Sequence, residues 1–96
     1  NYYAPVYFEW MLSELLRHEA QFALCNMIHS HYGWSPFETH PVPCGIDAGG
    51  WICRSDIVKR TAWPSKDRVT SDGEYAEALV RQCRVVKVPG CLFVHN

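Results

Sequence analysis

The 96-residue sequence has no Cys-x-x-Cys pair, no basic run, no internal repeat and no long apolar stretch. A membrane-spanning helix needs about 20 consecutive apolar residues, so none is expected. Charge of either sign is not in excess: nine Lys and Arg stand against ten Asp and Glu, a formal net charge of −1. That balance argues against a nucleic-acid partner or binding driven by an anionic membrane surface. The five cysteines, at 25, 44, 53, 83 and 91, are odd in number and lack metal-ligand spacing. Neither a disulfide framework nor a zinc ribbon is indicated. Reduced thiols in a cytoplasmic protein are expected, with Cys25, Cys53 and Cys83 serving as small core hydrophobes.

What is present is the composition of a folded globular domain: 48% hydrophobic, 20% charged and 14% aromatic, with four Trp and five Tyr. A disordered chain carries fewer aromatics and more net charge. At this length, residues 1–96 make a single domain. The start at Asn1-Tyr2-Tyr3-Ala4-Pro5, without Met, is what a piece continuing a longer polypeptide is expected to show.

Pro5 suits a first helical turn. Phe8, Met11, Leu12, Leu15 and Leu16 then follow the three-and-four spacing of one apolar face, so a helix is predicted over 5–19. The short apolar run 21–29 reads as a buried strand. Gly33, Pro36, Pro41 and Pro43 mark 30–45 as a loop, long enough to be functional or mobile. A strand is expected over 46–53 with Gly49-Gly50 in its middle, where adjacent glycines permit close approach of a ligand or another backbone. Ser55 or Asp56 is placed to cap a short helix ending at Arg60, and 61–70 reads as polar and irregular. Ser71-Asp72-Gly73-Glu74 has the form of a capping box opening a helix with Tyr75, Leu79, Val80 and Cys83 on its apolar face. Val85-Val86-Lys87-Val88 reads as a strand, Pro89-Gly90 as a turn and Leu92-Phe93-Val94 as a last strand. The expected fold class is mixed α/β.

Three motifs carry chemistry: Ile46-Asp47-Ala48-Gly49-Gly50-Trp51-Ile52-Cys53-Arg54, Ser71-Asp72-Gly73-Glu74-Tyr75 at a helix mouth, and Val94-His95-Asn96 closing the last strand. In this order and spacing the chain resembles the carboxy-terminal, acceptor-side part of family 2 glycosyltransferases of the GT-A fold. In that family a glycine-containing strand ending in Arg lines the sugar pocket, an acidic motif follows at a helix start, and a strand ends in His. Asn1-Tyr2-Tyr3-Ala4-Pro5 is similar to the segment after the family's metal-binding Asp-x-Asp. The resemblance implies a partial GT-A-like sheet flanked by helices and lacking the nucleotide-binding half. It also implies a nucleotide-sugar donor, a hydroxyl acceptor and a divalent metal, Mn2+ or Mg2+, in the intact enzyme. This chain alone is expected to be inactive, and to form a homo-oligomer, a dimer, through an exposed sheet edge.

By this resemblance Asp72 is the catalytic base, since an inverting transferase removes a proton from the attacking hydroxyl and a carboxylate within hydrogen-bond reach does so. As a residue in its own right Asp72 also suits a helix cap that does nothing else. Asp47 is a second acid of the same pocket, while Glu74 reads as the reciprocal half of the capping box. Gly49, Gly50 and Trp51 are candidates to bind the sugar, an aromatic face stacking on the ring, or else form a core Trp beside a β-bulge. His95 is either a metal ligand on the donor diphosphate or an idle terminal residue. Arg81 lies farther from Asp72 than the family's usual Arg, which leaves it without an implied role. Two rival readings are a non-catalytic assembly module and a small metal-binding protein using His29, His31, His40 and Cys44.

Overall fold

The computed structural model describes residues 1–64 and 70–96, so part of the segment read as irregular over 61–70 lies outside the described residues. The elements are β1 (Tyr2–Tyr3), α1 (Tyr7–Arg17), β2 (Phe22–His29), β3 (Pro36–Phe37), β4 (Trp51–Cys53), α2 (Ser55–Arg60), α3 (Ser71–Val80) and β5 (Val85–His95). They form a mixed α/β domain around one five-stranded sheet in the order β1-β5-β2-β3, with β4 also pairing β2. β2 and β5 run parallel, and the short strands are antiparallel to their neighbours.

β2 is covered on both faces, which is why its sequence reads as a nearly continuous apolar run. Successive strand residues point to opposite faces. Ala23, Cys25 and Met27 accordingly pack with Tyr7, Met11 and Leu15 of α1. Phe22 and Leu24 pack with Ile57 of α2 and with Tyr75, Ala76 and Leu79 of α3. Burying a large apolar side chain stabilises by about 1.5–3 kcal/mol, and Phe22, Phe93, Met11, Ile57 and Leu79 are all fully buried.

The buried row of α1 is not the whole of the predicted face. Tyr7, Met11 and Leu15 are buried, whereas Phe8, Leu12 and Leu16 are 65%, 52% and 65% exposed. Both rows have the same four-residue spacing, so periodicity alone does not choose between them. Tyr7 enters the core because its hydroxyl donates to the Gly49 carbonyl at 2.9 Å, which satisfies the one polar atom it buries.

Three further elements differ from expectation. Gly49 and Gly50 belong to a 3-10 turn, Ala48–Gly50, that precedes β4 rather than interrupting it. Ser71 is the first residue of α3 and Thr70 precedes it, so the capping box does not form; instead the Thr70 hydroxyl donates to Glu74 Oε1 at 2.8 Å. Finally, β5 is one strand where two were expected. Its register steps from Cys25↔Val88 to Asn26↔Cys91 to Met27↔Phe93, so Pro89 and Gly90 sit in a bulge. Pro has no N–H to give a ladder, and Gly90 takes a φ of 103°, a conformation glycine adopts without penalty.

The other edge of β2 is divided. β4 pairs Phe22, Ala23 and Leu24, and β3 pairs Met27 and Ile28, which leaves Cys25 and Asn26 between them. Thr39, fully buried, fills that gap. Its hydroxyl donates to the Cys25 carbonyl at 2.7 Å and its N–H donates to Asn26 Oδ1 at 3.1 Å. Lys87 Nζ donates to the Thr39 carbonyl at 2.6 Å. The long loop is therefore tied to the sheet at its midpoint. Thr39→Val keeps the shape and removes the hydroxyl, so it is expected to cost about 1–3 kcal/mol through the stranded Cys25 carbonyl. Urea unfolding measures this; a loss below roughly 0.5 kcal/mol would show that the hydroxyl does not hold the loop.

Candidate functional site

β2 and β5 end together, with His29 directly paired to His95. In open α/β sheets the carboxyl ends of parallel strands are where ligand crevices form. A cavity of about 520 Å³ opens at this end, within the size range of small-molecule sites. Its lining includes His29, His31, Asp47, Asp72 and His95, with Tyr32, Phe37 and Cys44 at its loop side.

The two acids are positioned by one short turn. Asp47 precedes the Ala48–Gly50 turn, and its Oδ1 accepts the Gly49 N–H at 2.8 Å. Asp72, in the first turn of α3, accepts the Ala48 N–H through Oδ2 at 3.3 Å. The turn itself is fixed from beneath by the Tyr7 hydroxyl on the Gly49 carbonyl. A Cβ on Gly49 would run into the Phe93 ring, and one on Gly73 would run into the backbone of Val42 and Pro43. Glycine at these positions lets the turn lie on the core and lets the loop press against the start of α3.

The imidazoles are equally constrained. The His29 and His95 ring centroids are 4.3 Å apart, and His31 lies 4.8 Å from His29. His29 Nδ1 accepts the His31 N–H at 3.0 Å, which puts the proton of the neutral ring on Nε2. His95 Nδ1 is 3.7 Å from Asp47 Oδ2, too far for a hydrogen bond, and this buried nitrogen has no hydrogen-bond partner. Burial, with His95 and His31 close by, holds the His29 pKa below its ordinary value, against the weaker pull of Asp47.

Of the residues singled out from the sequence, Asp47, Asp72 and His95 line the cavity. Gly49 and Gly50 contribute backbone to the turn beneath it. Trp51 is elsewhere: its ring stacks on Phe22 at 5.1 Å and lies 6.2 Å from Tyr75, in the cluster under α2 and α3. His29 and His31 share the cavity, but His31 sits in the 3-10 turn that follows β2 rather than on one strand face with His29. His40 is exposed and Arg81 pairs with Glu77 at 3.6 Å. Tyr7 has a positioning role that no spacing rule announces. Among the described residues, no group of three or more His, Cys, Asp or Glu side chains is arranged to hold a metal ion.

The depressed His29 pKa carries a stability prediction. The unfolded chain takes up a proton near pH 6.5, the ordinary value, while the folded chain resists it to lower pH. The contribution of His29 to stability is therefore fully present above pH 6.5 and is expected to fall as pH drops below that value. His29→Asn, whose Oδ1 can still accept the His31 N–H, is expected to flatten the fall. Urea unfolding at a series of pH values in chelator-containing buffer is the measurement; an unchanged slope in the variant would remove His29 as its source.

Comparison with protein-family models, curated proteins and solved structures found no match.

Proposed function

We propose that this chain is the acceptor-side part of a GT-A-like, family 2 glycosyltransferase that moves a sugar from a nucleotide donor to an acceptor hydroxyl. One observation supports this best. Asp47, Asp72 and His95, from a loop, a helix start and a strand end far apart in sequence, line one cavity at the carboxyl ends of β2 and β5.

In this reading Asp72 is the base. It takes the proton of the acceptor hydroxyl as the oxygen bonds to the anomeric carbon of the donor sugar and the bond to the nucleoside diphosphate breaks. Its half-exposed carboxylate accepts the Ala48 N–H at 3.3 Å, which leaves oxygen lone pairs for a substrate hydroxyl. Asp47, held by its own turn, shapes the pocket floor beside it. When bound, Mn2+ or Mg2+ supplies charge neutralisation to the leaving diphosphate. The residue here that would hold it is His95, which lines the cavity. Further donors and the nucleotide pocket belong to the nucleotide-binding half of such an enzyme, so no turnover is expected from these residues alone.

Joined to a nucleotide-binding half, the chain with Asp72→Asn is expected to lose turnover by about a hundredfold or more. Its thermal midpoint should stay close to that of the parent, because an Asn oxygen still accepts the Ala48 N–H. Turnover and midpoint are measured together, with Asp47→Asn as the comparison. Near-normal turnover in Asp72→Asn would reduce Asp72 to a helix-start acid, and loss confined to Asp47→Asn would move the base to the turn.

The exposed row Phe8, Leu12 and Leu16 favours a second reading, a module that assembles with copies of itself, since apolar patches of this kind mark contact surfaces. Light scattering of the isolated chain is expected to show a dimer. A compact monomer across a wide concentration range would count against homo-oligomer formation.

A further inference from the structure

The fold brings together two cysteines that no spacing rule connects. Cys53 ends β4 and Cys83 follows α3, in the turn that leads to β5. Both are partly buried against the cluster of Phe22, Leu24, Ile57, Tyr75 and Leu79, and each lies near enough to influence the other's ionisation. Neither is paired in a disulfide.

The backbone on either side of each cysteine is pinned. Gln21 binds both neighbours: its carbonyl accepts the Arg54 N–H at 2.9 Å, and its Oε1 accepts the Arg84 N–H at 2.7 Å. Arg60 Nε donates to Gln82 Oε1 at 2.8 Å, and Gln82 Nε2 donates to Thr61 Oγ1 at 2.8 Å. These bonds join the end of α2 to the residue before Cys83. Both cysteines are thus anchored through the residues next to them, to Gln21 and to the end of α2.

We propose that Cys53 and Cys83 form a redox modification site that closes to an intramolecular disulfide on exposure to a small-molecule disulfide of the glutathione type. The Cys83 thiolate attacks one sulfur of that disulfide, making a mixed disulfide and releasing one thiol. The Cys53 thiolate then attacks the Cys83 sulfur, forming the Cys53–Cys83 bond and releasing the second thiol. Two cysteine thiols are oxidised, one external disulfide is reduced, and the two protons end on the released thiols.

The order of attack follows from the surroundings. Burial pushes both thiols up, but Cys53, Arg54 and Arg60 draw Cys83 part of the way back down, whereas Cys53 is pushed up to about 12. Cys83 is thus the better first nucleophile and Cys53 the resolving group. The reaction is slow at neutral pH and accelerates in base. The product links β4 to the far end of α3, closing a loop that contains both helices of that face.

The test uses the purified chain, incubated with glutathione disulfide at pH 8.5 beside a sample kept reduced, then alkylated and mapped by mass spectrometry. The expected product is lighter by two hydrogens, carries a Cys53–Cys83 crosslinked peptide and melts about 5–15 °C higher than the reduced chain. In Cys53→Ser the reaction should stop at a mixed disulfide on Cys83, with no rise in midpoint. The proposal is overturned if Cys53 and Cys83 remain open to alkylation or finish as separate mixed disulfides. A dominant crosslink between other cysteines overturns it too, as does a crosslinked form no more stable than the reduced one. A rise that persists in Cys53→Ser would place the stabilising bond elsewhere and would equally overturn it.

Discussion

The parallel pairing of β2 with β5 is the constraint on which the rest of the structure depends. It sets His29 beside His95 at one end of the sheet and leads Gln21 up to Arg84 at the other. Parallel strands cannot be joined by a tight turn, and apart from β1 and α1 the remaining elements fall in the long crossover between them. The loop with Thr39, the Ala48–Gly50 turn, β4, α2 and α3 all lie in that connection. Because β2 is buried on both faces, the crossover elements must cover the side that α1 does not. Their positions are thus set by core packing before any question of chemistry arises.

Within this frame the carboxylates of the cavity are placed with few contacts. The turn Ala48–Gly50 is rigid because three different restraints meet there: the Asp47 carboxylate on the Gly49 N–H, the Tyr7 hydroxyl on the Gly49 carbonyl, and the Phe93 ring against the Gly49 Cα. Asp72 then rests on the Ala48 N–H. Each hydrogen bond contributes only about 0.5–1.5 kcal/mol net, but together they hold two acids from distant segments at one cavity mouth. The supports of this site come from the core face of α1 and from β5.

Several features of this arrangement were legible in the sequence. The mixed α/β class, the helices over most of 5–19 and from Ser71 on, and most of the buried strand read over 21–29 follow from composition and apolar spacing. The bulge in β5 was not legible, because Pro89-Gly90 signals a turn and a bulge equally well until a partner strand sets the register. The buried row of α1 was hidden for a related reason. Phe8, Leu12 and Leu16 are more hydrophobic than Tyr7, and only the Gly49 carbonyl, distant in sequence, makes the tyrosine the better core residue. Trp51 shows the converse: a glycine-aromatic pattern suggests a ligand platform, but its ring is taken up by Phe22 in the α2–α3 cluster. The cavity's acids and His95 were found through family resemblance, whereas the approach of His29 to His95 depended on the strand register that no local pattern encodes.

The two chemically notable regions lie at opposite ends of the same sheet, and α3 connects them. Its first turn carries Asp72 at the cavity, and its exit leads to Cys83 beside the start of β2, where Cys53 pairs with Phe22. At about 1.5 Å per residue, the ten residues of α3 make a rod of roughly 15 Å between them. A packed helix moves as a unit, with little slack in a close-packed interior. The side chains that seat α3, Tyr75, Ala76 and Leu79, therefore serve both ends at once. Tyr75 does so with its hydroxyl as well, which donates to the Val58 carbonyl at 3.1 Å or to the Thr61 carbonyl at 3.2 Å and so ties α3 to the end of α2. The position of Asp72 is in this sense decided as much by the packing near Cys83 as by its own contact with the turn.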